Sequence, residues 1–137
     1  EQAVNDTREL VEQSGYAHIA QVILQSHSEM DRYAEEESVD GIVFNLGYLP
    51  GGNHKIFTTA QTSIPAIEKG LRLLRPGGVM SICIYYGGDS GYEEKDALME
   101  FLKTIDDRQY TVLMSQFYNR PNDPPIPVMI YKEPAAF

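Results

Sequence analysis

The chain has 137 residues, 42% hydrophobic and 10% aromatic, with 20 acidic against 11 basic side chains and a formal net charge of −9. That size holds one domain with a core of its own, and no apolar run approaches the ~18 residues a membrane-spanning helix needs. The acidic balance excludes a surface that holds nucleic acid by neutralising many phosphates, but not an enzyme that grips one base or one loop through a local patch.

The opening "EQAVNDTREL" has no basic start and no apolar core, so it does not read as a secretory signal. The lone cysteine, Cys83, cannot build an internal disulfide framework and suits a reducing compartment, so a cytoplasmic setting is expected.

Taken in chain order, Ala3, Thr7, Leu10, Val11 and Ser14 fall on one helical stripe, and Gly15 is placed to end that helix. "AQVILQ" (20 to 25) is a short apolar run of the kind buried on both faces of a parallel sheet. "SEMDRYAEEES" reads as a short acidic helix, and "DGIVFNL" (40 to 46) as a second strand. Residues 57 to 74 carry Ala60, Ile64, Ile67, Leu71 and Leu74 at helical spacing, with Pro65 expected to kink the helix. "GGVMSICIYY" is the third strand.

"SGYEEKDALMEFLKTI" follows as a helix, with Ser90 and Glu93 fitting a capping box and Ala97, Leu98, Phe101, Leu102 and Ile105 on its inner face. "YTVLMSQFY" and "PVMIYK" are two strands joined by a short Pro-rich segment, so they are expected to pair antiparallel. The alternation gives an α/β fold, with a mostly parallel sheet, helices on both faces and an antiparallel pair at the end.

The turn "FNLGYLPGGNHK" (44 to 55) carries the functional question. Gly47 and Gly52 have the spacing of a phosphate loop, but Asn53 and His54 stand where its lysine and hydroxyl residue belong. G-x-G-x-x-G is absent as well, so nucleotide hydrolysis and hydride transfer are disfavoured. Two readings stay open on spacing alone: a plain turn, and a ligand site at the carboxyl end of a parallel strand.

The strand ending in "FNLGYLPGG", the later "LLRPGGVMSICIYYGG" and "GYEEKDALMEFL", and the final "FYNRPNDPPIPVMI" resemble the small bacterial rRNA methylase family. The resemblance runs over essentially the whole chain. Its members are Rossmann-like class I methyltransferases that use S-adenosylmethionine, and some are assigned to the 5-aminomethyl-2-thiouridine at the tRNA wobble position. The resemblance therefore implies N-methylation of RNA, with tRNA favoured over rRNA as partner, no membrane role, and a homodimer.

It also implies a sheet order of 3-2-1-4-5-7-6, in which "EQAVNDTRELVEQ" resembles the helix after the second strand. On that basis the first strand, its glycine-rich loop and the second strand with its ribose-binding acid lie outside this chain, a segment of roughly 45 residues. The 137 residues are then one methyltransferase domain lacking those parts.

The site residues follow from the resemblance. Gln25, Ser26 and His27, with Asn45, Leu46 and Gly47, are expected at the cofactor. Asn45, Tyr48 and Tyr86 would accept from the reacting amine and orient it. Tyr48, Pro50, Gly51, Gly52 and His54 from the first loop, and Tyr118, Asn119, Arg120 and Asn122 from the last, would meet the substrate, with Arg120 and Lys55 near RNA phosphate.

Cys83 lies mid-strand with no base beside it and reads as a core residue, which favours nitrogen or oxygen methylation over attack at carbon. His18, His27 and His54 are too widely spaced for a metal signature, so no metal is expected. Two rival readings remain: a methyltransferase for a small amine, which the acidic charge suits, and a non-enzymatic Rossmann-like module that binds a protein.

Overall fold

The computed structural model describes residues 1–47, 59–87 and 91–134. Helix α1 (Gln2–Gln13) leads, through a loop and a 3₁₀ turn (His27–Arg32), into strand β1 (Val39–Leu46). Then come α2 (Ala60–Leu73), β2 (Leu74–Ile84), α3 (Gly91–Lys103), β3 (Tyr110–Met114) and β4 (Ile126–Lys132).

The four strands form one sheet in the order β1-β2-β4-β3. β1 and β2 are parallel, and β4 runs antiparallel to both β2 and β3. This is the 4-5-7-6 part of the expected order. The antiparallel pairing follows from the short joint between β3 and β4.

Alternation along the strands sorts the side chains. Phe44 and Leu46 of β1, Met80, Ile82 and Ile84 of β2, and Val128 and Ile130 of β4 point to one face and are buried. They pack against Ala66, Ile67 and Leu71 of α2 and Leu98 and Leu102 of α3. Ala97, assigned to the inner face of α3, is exposed, because the buried stripe runs through Leu98 and Leu102.

The opposite face is open. Register places Val43, Ser81, Met129 and Leu113 in one row across all four strands, and of these Val43 is 73% and Leu113 63% exposed. The expectation of helices on both faces is thus corrected for the described residues. Helix α1 buries none of its residues, and Leu10 on its apolar stripe is 64% exposed. Its end is as the sequence indicates: Gly15 adopts φ +81°, its N–H donates to the Glu12 carbonyl, and the Tyr16 N–H donates to that of Val11. Those two bonds form a Schellman cap.

Residues 20–25 are not a strand. A strand exists through its ladder partners. Among the described residues β1 pairs on one side only, with β2, and nothing pairs with "AQVILQ". Leu24 is accordingly 56% exposed, and the Val22 carbonyl accepts from the Arg8 guanidinium at 3.1 Å.

The acidic helix shrinks to the 3₁₀ turn, capped by Ser26 and tied to α2 by Lys69, whose ammonium donates to the Ser28 carbonyl at 2.6 Å. α2 continues through Pro65 as one helix, although proline forfeits one i→i−4 hydrogen bond. β2 starts three residues early because Leu74 pairs with Val39. β3 stops at Met114, four residues short of the expected 118. Ser90, and with it the expected capping box, lies outside the described residues.

One buried cation closes the core at the far end of α2. Lys132 is 7% exposed, and its ammonium donates to the carbonyls of Leu71 at 3.0 Å and Leu74 at 2.8 Å. The Tyr110 hydroxyl also donates to the Leu71 carbonyl. These bonds satisfy carbonyls that a helix end leaves without partners.

Candidate active site

The carboxyl ends of β1, β2 and β3 and the start of β4 lie along one rim of the sheet, the edge at which open α/β sheets bind ligands. At its β1 end, Gly47 has φ +126°, and the Tyr85 N–H donates to the Leu46 carbonyl at 2.8 Å. A Cβ on Gly47 would stand 2.5 Å from the Tyr85 carbonyl oxygen. This glycine is therefore required by the close approach of two strand ends.

Asn45 is exposed, its amide makes no side-chain hydrogen bond among the described residues, and it pairs in register with Cys83 on the open face. Leu46 is 2% exposed and points into the core, so it offers this rim its backbone only. Cys83 is half-buried on the open face. The reading of Cys83 as a core residue is thereby corrected, since Ile82 and Ile84 take the inward positions of β2.

The Tyr85 hydroxyl interacts with the Cys83 thiol, which with charge and burial raises the tyrosine's pKa. Tyr85 thus lies two residues beyond Cys83, the register partner of Asn45. Tyr86 turns to the helix-covered side and stacks edge-to-face on Tyr92 of α3 at 5.7 Å. Asn45 and Tyr86, expected to act together, are placed on different faces. The period of two along β2 identifies Tyr85, whereas the motif favours its neighbour.

Gln25 and Ser26 are exposed. Ser26 accepts from the Ser28 N–H as a cap, and the His27 ring packs edge-to-face against Phe44 at 5.8 Å. Partial burial lowers the His27 pKa below its ordinary value, so the ring is neutral at pH 7. Tyr48, Pro50, Gly51, Gly52, His54 and Lys55 lie outside the described residues.

The other end of the rim holds a cavity of about 430 Å³ on the helix-covered face. Met99 of α3, Met114 ending β3, Ile126 starting β4, and Phe117, Tyr86 and Arg120 line it, with Tyr118 at its edge. Tyr118 is 97% exposed, while Asn119 and Asn122 do not line the cavity. The sequence reading missed Met99, Met114 and Phe117, although Met114 shares the inward parity of Val112 on β3.

The loop over this cavity is fixed from two sides. Asn122 and Asp123 take left-handed conformations, φ 64° and 54°, which Asn and Asp tolerate better than most residues. The Tyr92 hydroxyl donates to the Asp123 carboxylate, raising the tyrosine's pKa. The Lys95 ammonium sits 5.1 Å above the Tyr86 ring. On the first turn of α3, burial raises the Glu94 pKa, and its Oε1 has no hydrogen-bond partner among the described residues.

The rim thus presents neutral polar groups near β1 and an aromatic, sulfur-lined hollow with one arginine near β3. Among the described residues, no three His, Cys, Asp or Glu side chains converge to hold a metal, and no helix is long and apolar enough to cross a membrane.

Solved structures share this fold. A putative rRNA-methylase from Clostridium thermocellum is 39% identical over 96% of this chain and 70% of its own, with a TM-score of 0.92. A putative methyltransferase from Streptococcus mutans, in complex with SAH, is 39% identical over 96% of this chain and 71% of its own, with a TM-score of 0.86. The fold is therefore the Rossmann-like methyltransferase sheet. The chloroplastic tRNA (mnm(5)s(2)U34)-methyltransferase of Arabidopsis thaliana is 35% identical over 108 residues, which are 78% of this chain. The match spans only 39% of that relative's length. The family model described as "Putative rRNA methylase" matches residues 1–131, so the chain belongs to the rRNA methylase family.

Proposed function

We propose that this chain is the greater part of a methyltransferase that takes its methyl group from S-adenosylmethionine. Its substrate is RNA, and the favoured acceptor is the 5-aminomethyl group of the tRNA wobble uridine. Family membership and the name of the Arabidopsis relative support the substrate, and the SAH-bound neighbour supports the cofactor. The observation that carries the reading is the carboxyl end of β1, where Asn45 offers an exposed, uncharged amide on one face of the strand and His27 packs against Phe44 on the other.

The described residues fit an adenosyl cofactor by their chemistry. Gln25, Ser26 and His27 would supply uncharged hydrogen-bonding groups to it, and burial keeps His27 from adding positive charge there. The bound cofactor supplies an electrophilic methyl group, and the rest of the task is alignment, which can contribute ~7 to 11 kcal/mol. A primary amine with a lysine-like pKa of ~10.4 must lose its proton first, at about 4 to 5 kcal/mol at pH 7. A carboxylate beside it would raise that cost. Asn45 accepts from the amine without adding charge.

The same proposal includes a first strand, a glycine-rich loop and a second strand beyond this chain, paired along the free edge of β1 and completing the cofactor pocket. A homodimer and a cytosolic setting also belong to it. The net charge of −9 favours one second reading, a small amine as acceptor.

The test is isotope-labelled S-adenosylmethionine with full-length protein, offered tRNA and rRNA from cells lacking the gene, and separately free amines. Label in methylaminomethyl-2-thiouridine supports the proposal, and label only in free amines replaces it with the second reading. Failure to bind the cofactor removes both.

A further inference from the structure

The cavity near β3 is too far from Asn45 to hold the reacting group. Asn45 is on β1, while the cavity sits over β4 and the end of β3, and with strands about 4.8 Å apart the lateral offset is about 10 Å or more. Asn45 also projects from the opposite face. An occupant of the cavity therefore accompanies the reacting group as a separate part of the substrate.

Its walls indicate what that part is. Tyr86 and Phe117 offer flat π surfaces, and the thioethers of Met99 and Met114 are polarisable groups that favour aromatic rings. Arg120 stands at the mouth and, among the described residues, makes no ion pair or hydrogen bond. A planar ring with an attached anion matches these features, as in a nucleotide of single-stranded RNA. The Tyr92–Asp123 hydrogen bond and the left-handed Asn122 and Asp123 fix the loop over the cavity.

We propose that this cavity takes an unpaired nucleobase next to the methylated nucleotide, stacked on Phe117, with Arg120 facing its phosphate. The inference rests on the reading of the protein as an RNA methyltransferase. It explains how a strongly acidic chain holds RNA: one base and one phosphate in a built hollow replace a basic surface.

The experiment uses full-length protein with SAH and a fluorescent, unmodified anticodon stem-loop, together with the same stem-loop carrying one abasic residue at each loop position in turn. Phe117→Ala, Phe117→Tyr and Arg120→Gln are compared with wild type by anisotropy. Phe117 is 45% exposed, so its truncation leaves the core intact.

Phe117→Ala is expected to weaken binding of the intact stem-loop by about 5- to 100-fold, the loss of one base–aromatic stack. Phe117→Tyr should restore it, and Arg120→Gln should weaken binding and flatten its salt dependence. An abasic residue at one position beside the target should weaken wild type by a similar factor and erase the difference between wild type and Phe117→Ala. If wild type binds and methylates RNA while Phe117→Ala and Arg120→Gln match it, the cavity assignment alone is overturned. An equal loss on every abasic loop overturns it as well. If wild type binds none of the stem-loops, the RNA reading falls and takes this inference with it.

Discussion

Replacing Gly47 with alanine isolates the closeness of the two strand ends at the rim. Two costs add. At φ +126° an L side chain is strained by about 1 to 3 kcal/mol. The new Cβ would also lie 2.5 Å from the Tyr85 carbonyl oxygen and 3.0 Å from the Tyr85 Cβ, so backbone must move. Together these predict a loss of about 3 kcal/mol, or roughly a 10 °C fall in Tm for a domain of this size. Gly87→Ala is the matched control: Gly87 has φ +107° and a Cβ there would meet nothing within 4 Å, so it carries the strain alone. Thermal unfolding of both variants separates the contact from the dihedral, and SAH calorimetry asks whether the displaced β1 end weakens the cofactor. If Gly47→Ala is no more destabilising than Gly87→Ala, the close approach is not what demands glycine here.

Asn45→Ala should lower kcat/KM for RNA about 10- to 100-fold through loss of one hydrogen bond to the amine, with unfolding unchanged; full activity in a steady-state methyl-transfer assay would remove Asn45 from the chemistry. Lys132→Met strands the Leu74 carbonyl and leaves that of Leu71 with the Tyr110 hydroxyl alone, and should cost about 1 to 3 kcal/mol in chemical denaturation; no measurable loss would contradict the capping role. Glu94 has a folded pKa raised by burial, so its contribution is full below about 4.5 and is lost as pH rises through the raised value. Glu94→Gln should then raise Tm at pH 7 and leave it unchanged at pH 4. His27 has the opposite slope: its lowered pKa gives a contribution present above about 6.5 and withdrawn as pH falls through the folded value, so His27→Gln should flatten the stability curve below pH 6.5.

The fold was legible where periodicity and pairing agree. The apolar runs "DGIVFNL" and "VMSICI" located β1 and β2, and the short joint before "PVMIYK" predicted the antiparallel pair. "AQVILQ" misled because its apolar character is local, whereas a strand needs a neighbour, and the neighbour is a matter of topology. At the rim, Asn45 and Gly47 mark the carboxyl end of β1 as a candidate ligand edge, and the rest of the turn lies outside the described residues. Cys83 was read as a core residue and Tyr85 was passed over, although the inward parity of Ile82 and Ile84 was in the sequence. Phe117 and Met99 were not legible, since their meeting depends on how a loop folds over a helix 18 residues earlier.

The order β1-β2-β4-β3 also bears on how the protein is made. β4 is the last of these strands to be synthesised, yet it lies between β2 and β3 and brings Lys132 to the end of α2. While β4 is still inside the ribosome, β3 has no strand to join and the inner face of β2 lacks Val128 and Ile130. A nascent chain stalled just after β3 should therefore remain protease-sensitive and recruit chaperones, becoming resistant over the few residues that complete β4.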